Sequence, residues 1–356
     1  MSEPARTLTE FIIGEQRAFP AATGGFTAVV NDIRLACKRI AYLVGKGALR
    51  GVSAGTDAFG IKGGDPGKLD AIANDVFLRT FEWGGTLAGM VSEELEDVYR
   101  IPESFPRGRY LLAFEPLEGS SNADVNAPVG SVFSVVPCPE GVTDADAAAF
   151  LQPGNRQVCA GYAIYGSTTM LVFSFGRGVH AFTLDREIGE FVLTHPDLRI
   201  PDETHEFAIN ASNSRFWEPA VKRYVDECLA GRGGPRDRDF TMRWAASLVA
   251  DTHRILMRGG VFLSPRDDRD GGRSGKIRLL YEANPIGFLV EQAGGRASTG
   301  FGPVLDIGPQ DIHQRTGFIF GSSREVELIE RYHRDHNERP YDAPLFRTRG
   351  LFRDTT

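Results

Sequence analysis

The chain is poor in the features that mark several common function classes. It has four cysteines, Cys37, Cys138, Cys159 and Cys228. They lie far apart, with no CxxC pair, so zinc-ribbon and thioredoxin-like chemistry lack a motif and buried free thiols in a reducing compartment are expected. No apolar run reaches the ~18 residues of a membrane-spanning helix. Residues 1–10 lack the apolar core of a secretory signal. The expectation is a cytoplasmic protein without a membrane partner. Positive charge is not in excess. The net charge of −7 argues against a nucleic-acid or anionic-membrane surface. Lysine occurs only at Lys38, Lys46, Lys62, Lys68, Lys222 and Lys276, a bias that genome composition suffices to produce.

Familiar catalytic motifs are also missing. There is no GxGxxG after a strand, no GxxxxGK[ST] and no HExxH. Gly51-Val-Ser53-Ala-Gly55 fits GxSxG, but a nucleophile elbow needs a strand before the serine and a helix after it. Here a Gly-broken helix precedes and a Gly-rich loop follows, so the match reads as chance. The seven histidines show no zinc-like clustering except His333 and His336, which read as an exposed helix face. Asp267, Asp268 and Asp270 fail the calcium-loop template, because its first position would be Arg266 and its twelfth Ile277. They read as a solvated loop.

What is present is an ordinary globular composition, 42% hydrophobic and 24% charged over 356 residues, enough for two domains or one large one. Apolar spacing predicts helices from about residue 27 to 44 and from 68 to about 83. Strands are expected at 110–114 and 130–136, then in close succession at 158–165, 168–175, 178–184 and 188–194, an antiparallel pattern. The polar stretch 196–206 is the expected boundary between a domain of residues 1–200 and one of residues 201–356. The second half reads as alternating strands (207–210, 261–263, 277–281, 317–321) and helices (216–229, 243–257). A further helix is expected to be capped by Asn284-Pro285, and the last to open with a Ser322-x-x-Glu325 capping box.

The chemistry concentrates in Arg109-Tyr-Leu-Leu-Ala-Phe-Glu115-Pro-Leu-Glu118-Gly119-Ser120-Ser121-Asn122. An apolar run ends in two carboxylates, followed by a small-residue turn whose N–H groups can approach an anion. Similar runs end in Glu93 and Glu282. Strand ends that converge at one sheet edge would cluster these acids with Asp65, Asp70 and Glu94. Such a cluster needs cations to offset its repulsion, and hard oxygen ligands favour Mg²⁺ or Mn²⁺. Phosphate-ester hydrolysis is the leading reaction class.

These residues fall within a longer set: Lys68-Leu-Asp70, Val91-Ser-Glu-Glu94, Glu115 to Asn122, Leu151-Gln-Pro-Gly154, Gly161 to Gly166, Ile188-Gly-Glu-Phe191, Gly275 to Pro285 and Asp311-Ile-His-Gln-Arg315. In this order, from about Thr23 to Tyr332, the chain resembles the class I fructose-1,6-bisphosphatases of the metal-dependent sugar and inositol phosphatase superfamily. The resemblance implies an α/β (α+β) fold of α/β/α/β/α layers and a homotetramer. It implies a sugar bisphosphate substrate and two or three Mg²⁺ per subunit. It places Glu93, Glu115, the Leu117 carbonyl, Glu118 and Glu282 on metal-ligand positions. Asp70 and Glu94 fall on the acids that activate water, and Asp65 on an acid of a mobile loop that is slightly shorter here. Gly119, Ser120 and Ser121 match the 1-phosphate cradle. Asn210, Lys276 and Arg243 match binders of the 6-phosphate, the arginine being given by a neighbouring subunit. Arg278 matches a basic residue near the metals. Thr23, Gly24, Thr27, Arg109 and Tyr110 match parts of an AMP pocket.

Departures from the family pattern set further expectations. Glu115 and Glu118 stand where aspartates are usual, which keeps the charge and lengthens each arm. Asn213, Trp244 and Ser264 replace three tyrosines of the 6-phosphate pocket, which makes sedoheptulose 1,7-bisphosphate a second substrate to test. Gly25 replaces an acid of the AMP pocket and Pro137 its distal arginine, so AMP inhibition is expected to be weak or absent. Two alternatives stay open on sequence alone. One is an inositol- or nucleotide-phosphate phosphatase, disfavoured by the second-phosphate residues. The other is a metal-impaired sugar-phosphate-binding or regulatory paralogue, motivated by Glu115 and Glu118.

Overall fold

The computed structural model describes residues 6–17, 24–47, 69–266 and 275–338. Thr23, the Gly51–Gly55 match, Asp65 and the 267–270 acids lie outside the described residues. The amino-terminal part contributes helices α1 (Leu8–Arg17), α2 (Gly24–Lys46) and α3 (Leu69–Phe81). Strands β1 (Leu87–Ser92), β2 (Tyr99–Arg100), β3 (Tyr110–Glu118) and β4 (Val129–Pro137) follow. After the short α4 (Ala147–Phe150) come β5 (Cys159–Tyr165), β6 (Thr169–Ser174), β7 (Val179–Asp185) and β8 (Glu190–Leu198). These strands form one eight-stranded sheet in the order β2-β1-β3-β4-β5-β6-β7-β8. It is antiparallel throughout apart from the parallel β1–β3 pair.

The carboxy-terminal part gives β9 (Glu206–Ile209), α5 (Pro219–Leu229), β10 (Thr241–Met242), α6 (Leu248–Arg258), β11 (Val261–Ser264) and β12 (Ile277–Arg278). A π-helical turn (Leu279–Ala283) leads into α7 (Asn284–Gln292). Then come β13 (Arg296–Ser298), β14 (Arg315–Thr316), β15 (Phe318–Gly321) and α8 (Ser323–Glu338). Its main sheet has the order β10-β9-β11-β15-β13.

Side-chain alternation sorts the strands into layers. Leu112, Phe114, Phe133, Phe173 and Phe182 face α1, α2 and α3, where Phe77 stacks on Phe114 with ring centroids 4.6 Å apart. Val132, Tyr162 and Val172 point the other way, into a second core with Val249 and Ile255 of α6, Ile286 and Leu289 of α7, and Phe262 and Phe320 of the second sheet. That sheet buries its far face under α5 and α8 through Phe207, Val261, Tyr224 and Ile329. The order of layers is therefore α/β/α/β/α, as the resemblance implies. The cysteines are free, with Cys37, Cys159 and Cys228 buried. No helix among the described residues is long and apolar enough to cross a membrane.

Several expected elements differ. The helix expected over 216–229 starts at Pro219, because the residue before a proline avoids helical backbone. The helix expected from Arg243 starts at Leu248. Thr241 and Arg243 donate their N–H groups to His205 and Phe207 carbonyls, each at 2.8 Å, which keeps this stretch extended along β9. Ala246 then takes φ +54° and Ser247 becomes the N-cap. The strand expected over 277–281 lasts two residues. Helical backbone begins at Leu279 and runs through Asn284, so Asn284 is interior and not a cap. The capping box at Ser322 does not form. The Ser322 hydroxyl accepts from Gly260 N–H, and Glu325 instead binds Tyr224, Arg236 and Arg238. His333 is not on an exposed face; it is 4% exposed and held between the Ile329 carbonyl and Glu218. Helix α1 is not among the expected elements; its signal in the sequence is Thr7-x-x-Glu10. There the Thr7 hydroxyl accepts from Glu10 N–H, and the Glu10 carboxylate accepts from Thr7 N–H.

Candidate active site

The site is assembled at the end of β3. The alternation that sends Phe114 into the helical layer sends Glu115 to the opposite face, where it is 8% exposed. Pro116 has no N–H for the ladder. The β3–β4 register slips between Glu115 and Glu118, with Glu115 opposite Val132 and Glu118 opposite Gly130. The Ser131 hydroxyl closes this bulge by donating to the Pro116 carbonyl at 2.7 Å. Leu117 returns to the helical core, 2% exposed, and Glu118 comes out beside α6. A bulge beside a candidate site re-aims side chains in this way.

Parallel pairing of β1 with β3 puts Ser92 opposite Phe114, and Glu93 N–H continues the ladder to the Phe114 carbonyl. Glu93 and Glu94 thereby reach Glu115. Ligand atoms of these three carboxylates lie within 4.8 Å of one another. Glu282 joins from the π-helical turn, not from a strand end as its apolar approach suggests. Its carboxylate accepts from Arg278 N–H at 2.7 Å. The Arg278 guanidinium donates to Glu93 Oε1 at 2.9 and 3.1 Å.

Burial and mutual repulsion dominate the electrostatics. Burial first, then Glu282, Glu93, Glu118 and Glu94, push the Glu115 carboxyl well above its ordinary range. Burial raises Glu282 to about 8, against the Arg278 N–H, which lowers it. Glu94 is raised by burial and by Asp70 and Glu93. Asp70, in the first turn of α3, is raised by burial and Glu93 while Ser120 acts against it. One Asp70 carboxylate oxygen is buried without a hydrogen-bond partner among the described residues. Close carboxylates that cannot all ionise, together with that oxygen, fit hard divalent cations, which supply the missing positive charge.

Beyond Glu118 the chain turns sharply. Gly119 takes φ +71°, and a Cβ there would meet Ser247 at 3.3 Å, so this close approach favours glycine. Ser120–Val125 form a 3-10 turn, and Asn122 Nδ2 donates to the Ala246 carbonyl. One pocket joins this region to the second half of the chain. Glu118 and Glu282 line one side; Asn210, Lys276 and the replacements Asn213, Trp244 and Ser264 line the rest. Trp244 stacks on Phe262 at 5.7 Å. Arg243 is outside this lining and donates to Glu206 at 2.7 Å.

The described residues matched to an AMP pocket lie at the start of α2 and around the start of β3. Gly24 and Thr27 lie in the first turn of α2, where Gln16 donates to the Thr27 hydroxyl. Phe26 meets Tyr110 at the start of β3, and Tyr110 pairs with Pro137. The Arg109 carbonyl accepts from Cys138 N–H. Ser247 is a site residue that sequence reasoning missed. Its signal was available: a serine before an apolar-periodic run with Asp251 in the first turn.

Known proteins match over nearly the whole length. Residues 6–196 fit the family model for the fructose-1-6-bisphosphatase N-terminal domain, and residues 200–334 fit that for the C-terminal domain. A class 1 fructose-1,6-bisphosphatase of Hydrogenophilus thermoluteolus is 60% identical over 351 residues, 98% of each chain. Another, from Methylibium petroleiphilum, is 60% identical over 346 residues, 97% of each. The crystal structure of Leishmania major fructose-1,6-bisphosphatase in holo form superposes with a TM-score of 0.82 at 36% identity. It covers 92% of this chain and 99% of that one. Layer order, acid cluster and matched length agree: the chain belongs to the fructose-1,6-bisphosphatase family.

Proposed function

We propose that this protein is a metal-dependent phosphoric monoester hydrolase that removes the 1-phosphate of fructose 1,6-bisphosphate, giving fructose 6-phosphate and phosphate. One observation carries the reading: a single pocket runs from carboxylates at the acid cluster to Asn210 and Lys276. That arrangement suits a sugar with a phosphate at each end. The impaired-paralogue reading has no observation in its favour.

The finer assignments are part of the same proposal. Mg²⁺, two or three per subunit, with Mn²⁺ as substitute, would be held by Glu93, Glu115, Glu118, Glu282 and the Leu117 carbonyl. Bound cations would neutralise phosphoryl oxygens, acidify water and stabilise the leaving oxygen. The chain's own residues do the rest. Asp70 and Glu94, whose carboxyls burial raises above the ordinary value, take the proton of the attacking water; Asp65 matches a loop acid of the same function. Gly119, Ser120 and Ser121 offer donors to the 1-phosphate. Lys276, Asn210 and a partner subunit's arginine equivalent to Arg243 hold the 6-phosphate in a homotetramer, while Arg278 orients Glu93. Residues 1–200 would carry the metal-site acids and the AMP-pocket-like region, and residues 201–356 the sugar-phosphate pocket. Cytoplasmic carbohydrate metabolism, as gluconeogenesis or the Calvin cycle, is the setting proposed.

The test is phosphate release from fructose 1,6-bisphosphate, titrated with Mg²⁺ and then Mn²⁺. Metal-dependent turnover is expected. None with either metal, from folded protein, would overturn the reading. Sedoheptulose 1,7-bisphosphate is assayed beside it, and a rate roughly two orders of magnitude lower excludes it as a second substrate. AMP inhibition should be weak or absent; sub-micromolar AMP binding by calorimetry would contradict this reading of Gly25 and Pro137.

A further inference from the structure

The bulge at the end of β3 carries several of the acids, and a single residue of β4 faces it. Glu115 stands opposite Val132 and Glu118 opposite Gly130, so Pro116 and Leu117 together confront Ser131. Two residues against one interrupt the ladder, and Pro116 cannot donate to it. Ser131 is 0% exposed. Strand alternation puts it on the face of Val129 and Phe133, in the core shared with the helical layer. A hydroxyl buried among such neighbours costs stability unless it is hydrogen-bonded.

Ser131 both donates and accepts. Its Oγ lies 2.7 Å from the Pro116 carbonyl oxygen and 2.9 Å from the Tyr165 phenolic oxygen. A carbonyl can only accept, so the serine proton goes to Pro116 and the serine oxygen accepts from Tyr165. Burial holds the phenol well above its ordinary range, which keeps the proton that this direction needs. The sheet sets the geometry. Tyr165 pairs with Val129 and Ala163 with Ser131, so tyrosine and serine are diagonal neighbours on one face of β4 and β5. The held carbonyl lies between Glu115 and Glu118. Fixing it fixes the Pro116–Leu117 peptide plane, on which the directions of both carboxylates and of the Leu117 carbonyl depend. In metal sites, the groups behind the ligands set ligand orientation and with it affinity.

We propose that Ser131 and Tyr165 are positioning residues for the metal site: a tyrosine-to-serine-to-carbonyl relay locks the β3 bulge in the geometry that aims Glu115, Glu118 and the Leu117 carbonyl. This rests on the hydrolase reading above. It gives a part in it to two residues outside the acid cluster and outside the lining of the sugar-phosphate pocket.

The experiment compares wild type, Ser131→Ala, Tyr165→Phe and the double variant. Metal-free proteins are titrated with Mn²⁺ by calorimetry, and their melting temperatures are measured. The same proteins are assayed on fructose 1,6-bisphosphate over a range of Mg²⁺. Ser131→Ala should weaken Mn²⁺ binding about tenfold and raise the Mg²⁺ concentration for half-maximal rate in parallel. Its KM for the sugar at saturating Mg²⁺ should change less than about threefold. Tyr165→Phe leaves the serine donation in place and should weaken Mn²⁺ binding less, by about threefold. The double variant separates positioning from stability. It removes the phenol that Ser131→Ala leaves buried without its serine acceptor, so it should melt no lower than Ser131→Ala. Its Mn²⁺ affinity should stay as weak as that of Ser131→Ala, because the Pro116 carbonyl is still not held. Mn²⁺ affinity within about threefold of wild type in Ser131→Ala overturns the proposal. A double variant that regains melting temperature and affinity together overturns it as well, since the serine would then act through stability alone. Wild-type affinity in Tyr165→Phe overturns the role given to the phenol. If Ser131→Ala does not fold, the double variant carries the same reading. Wild type that binds Mn²⁺ but turns over no substrate counts against the hydrolase reading instead, and the titrations still decide the relay.

Discussion

A glutamate with a folded-state carboxyl near 8, as for Glu282, or well above its ordinary range, as for Glu115, binds its proton more tightly folded than unfolded. The folded state then holds more protons between the unfolded value of 4.5 and the folded one, so stability falls as pH rises through that window. Metal-free protein should therefore melt at progressively lower temperature from about pH 5 to pH 8. Saturating Mg²⁺ should flatten that slope, because ligation needs the carboxylates deprotonated. Melting curves with and without metal across this range check both signs. Glu115→Gln removes a buried charge from the cluster. Its metal-free melting temperature should be no lower than wild type above pH 7, while metal-dependent turnover falls by roughly two orders of magnitude. A lower metal-free melting temperature, or retained turnover, would contradict this reading of Glu115.

Gly130 decides how closely elements can meet. It lies on β4 opposite Glu118, and a Cβ there would stand 2.5 Å from the Ala163 carbonyl oxygen and 2.6 Å from a methyl of Val249 on α6. Neither strand nor helix has a flexible tip to withdraw at this point. Gly130→Ala should cost about 1–3 kcal/mol by urea unfolding and raise KM through displacement of α6. Unfolding at the wild-type midpoint would show that α6 can yield. The same scale explains where sequence reasoning stopped. Helices α2 and α3 follow their apolar period to within about three residues at each end, because a long amphipathic pattern has only one good solution. The segment from Arg243 to Ser247 gives no such pattern. Whether it coils or stays extended depends on the carbonyls of His205 and Phe207, distant in the chain from α6.

At the scale of the whole molecule, Arg243 turns away from its own pocket. It pairs with Glu206, which also binds Arg254 at 2.9 Å, and its guanidinium remains half-exposed. If a neighbouring subunit uses it, Arg243→Ala should raise KM while sparing kcat. Hybrid oligomers of Arg243→Ala and Glu115→Gln subunits should then recover a wild-type KM at sites with an intact acid cluster. Sedimentation velocity checks the assembly, and hybrids that keep the high KM would assign Arg243 to its own subunit.

The amino-acid sequence already dictates the succession of strands and helices, the free thiols and the set of acids that gather at the site. These follow from local period, spacing and charge. It also determined Gly119, since a turn with positive φ beside another backbone favours that residue. The packing of distant elements puts Glu282 on a π-helical turn, draws Glu325 from a capping box to Tyr224, Arg236 and Arg238, and turns Glu118 towards α6. Each of these is a choice between partners of similar local merit. A carboxylate will accept from a cap, a guanidinium or a helix end, and the packing of distant elements determines which donor comes within 3 Å.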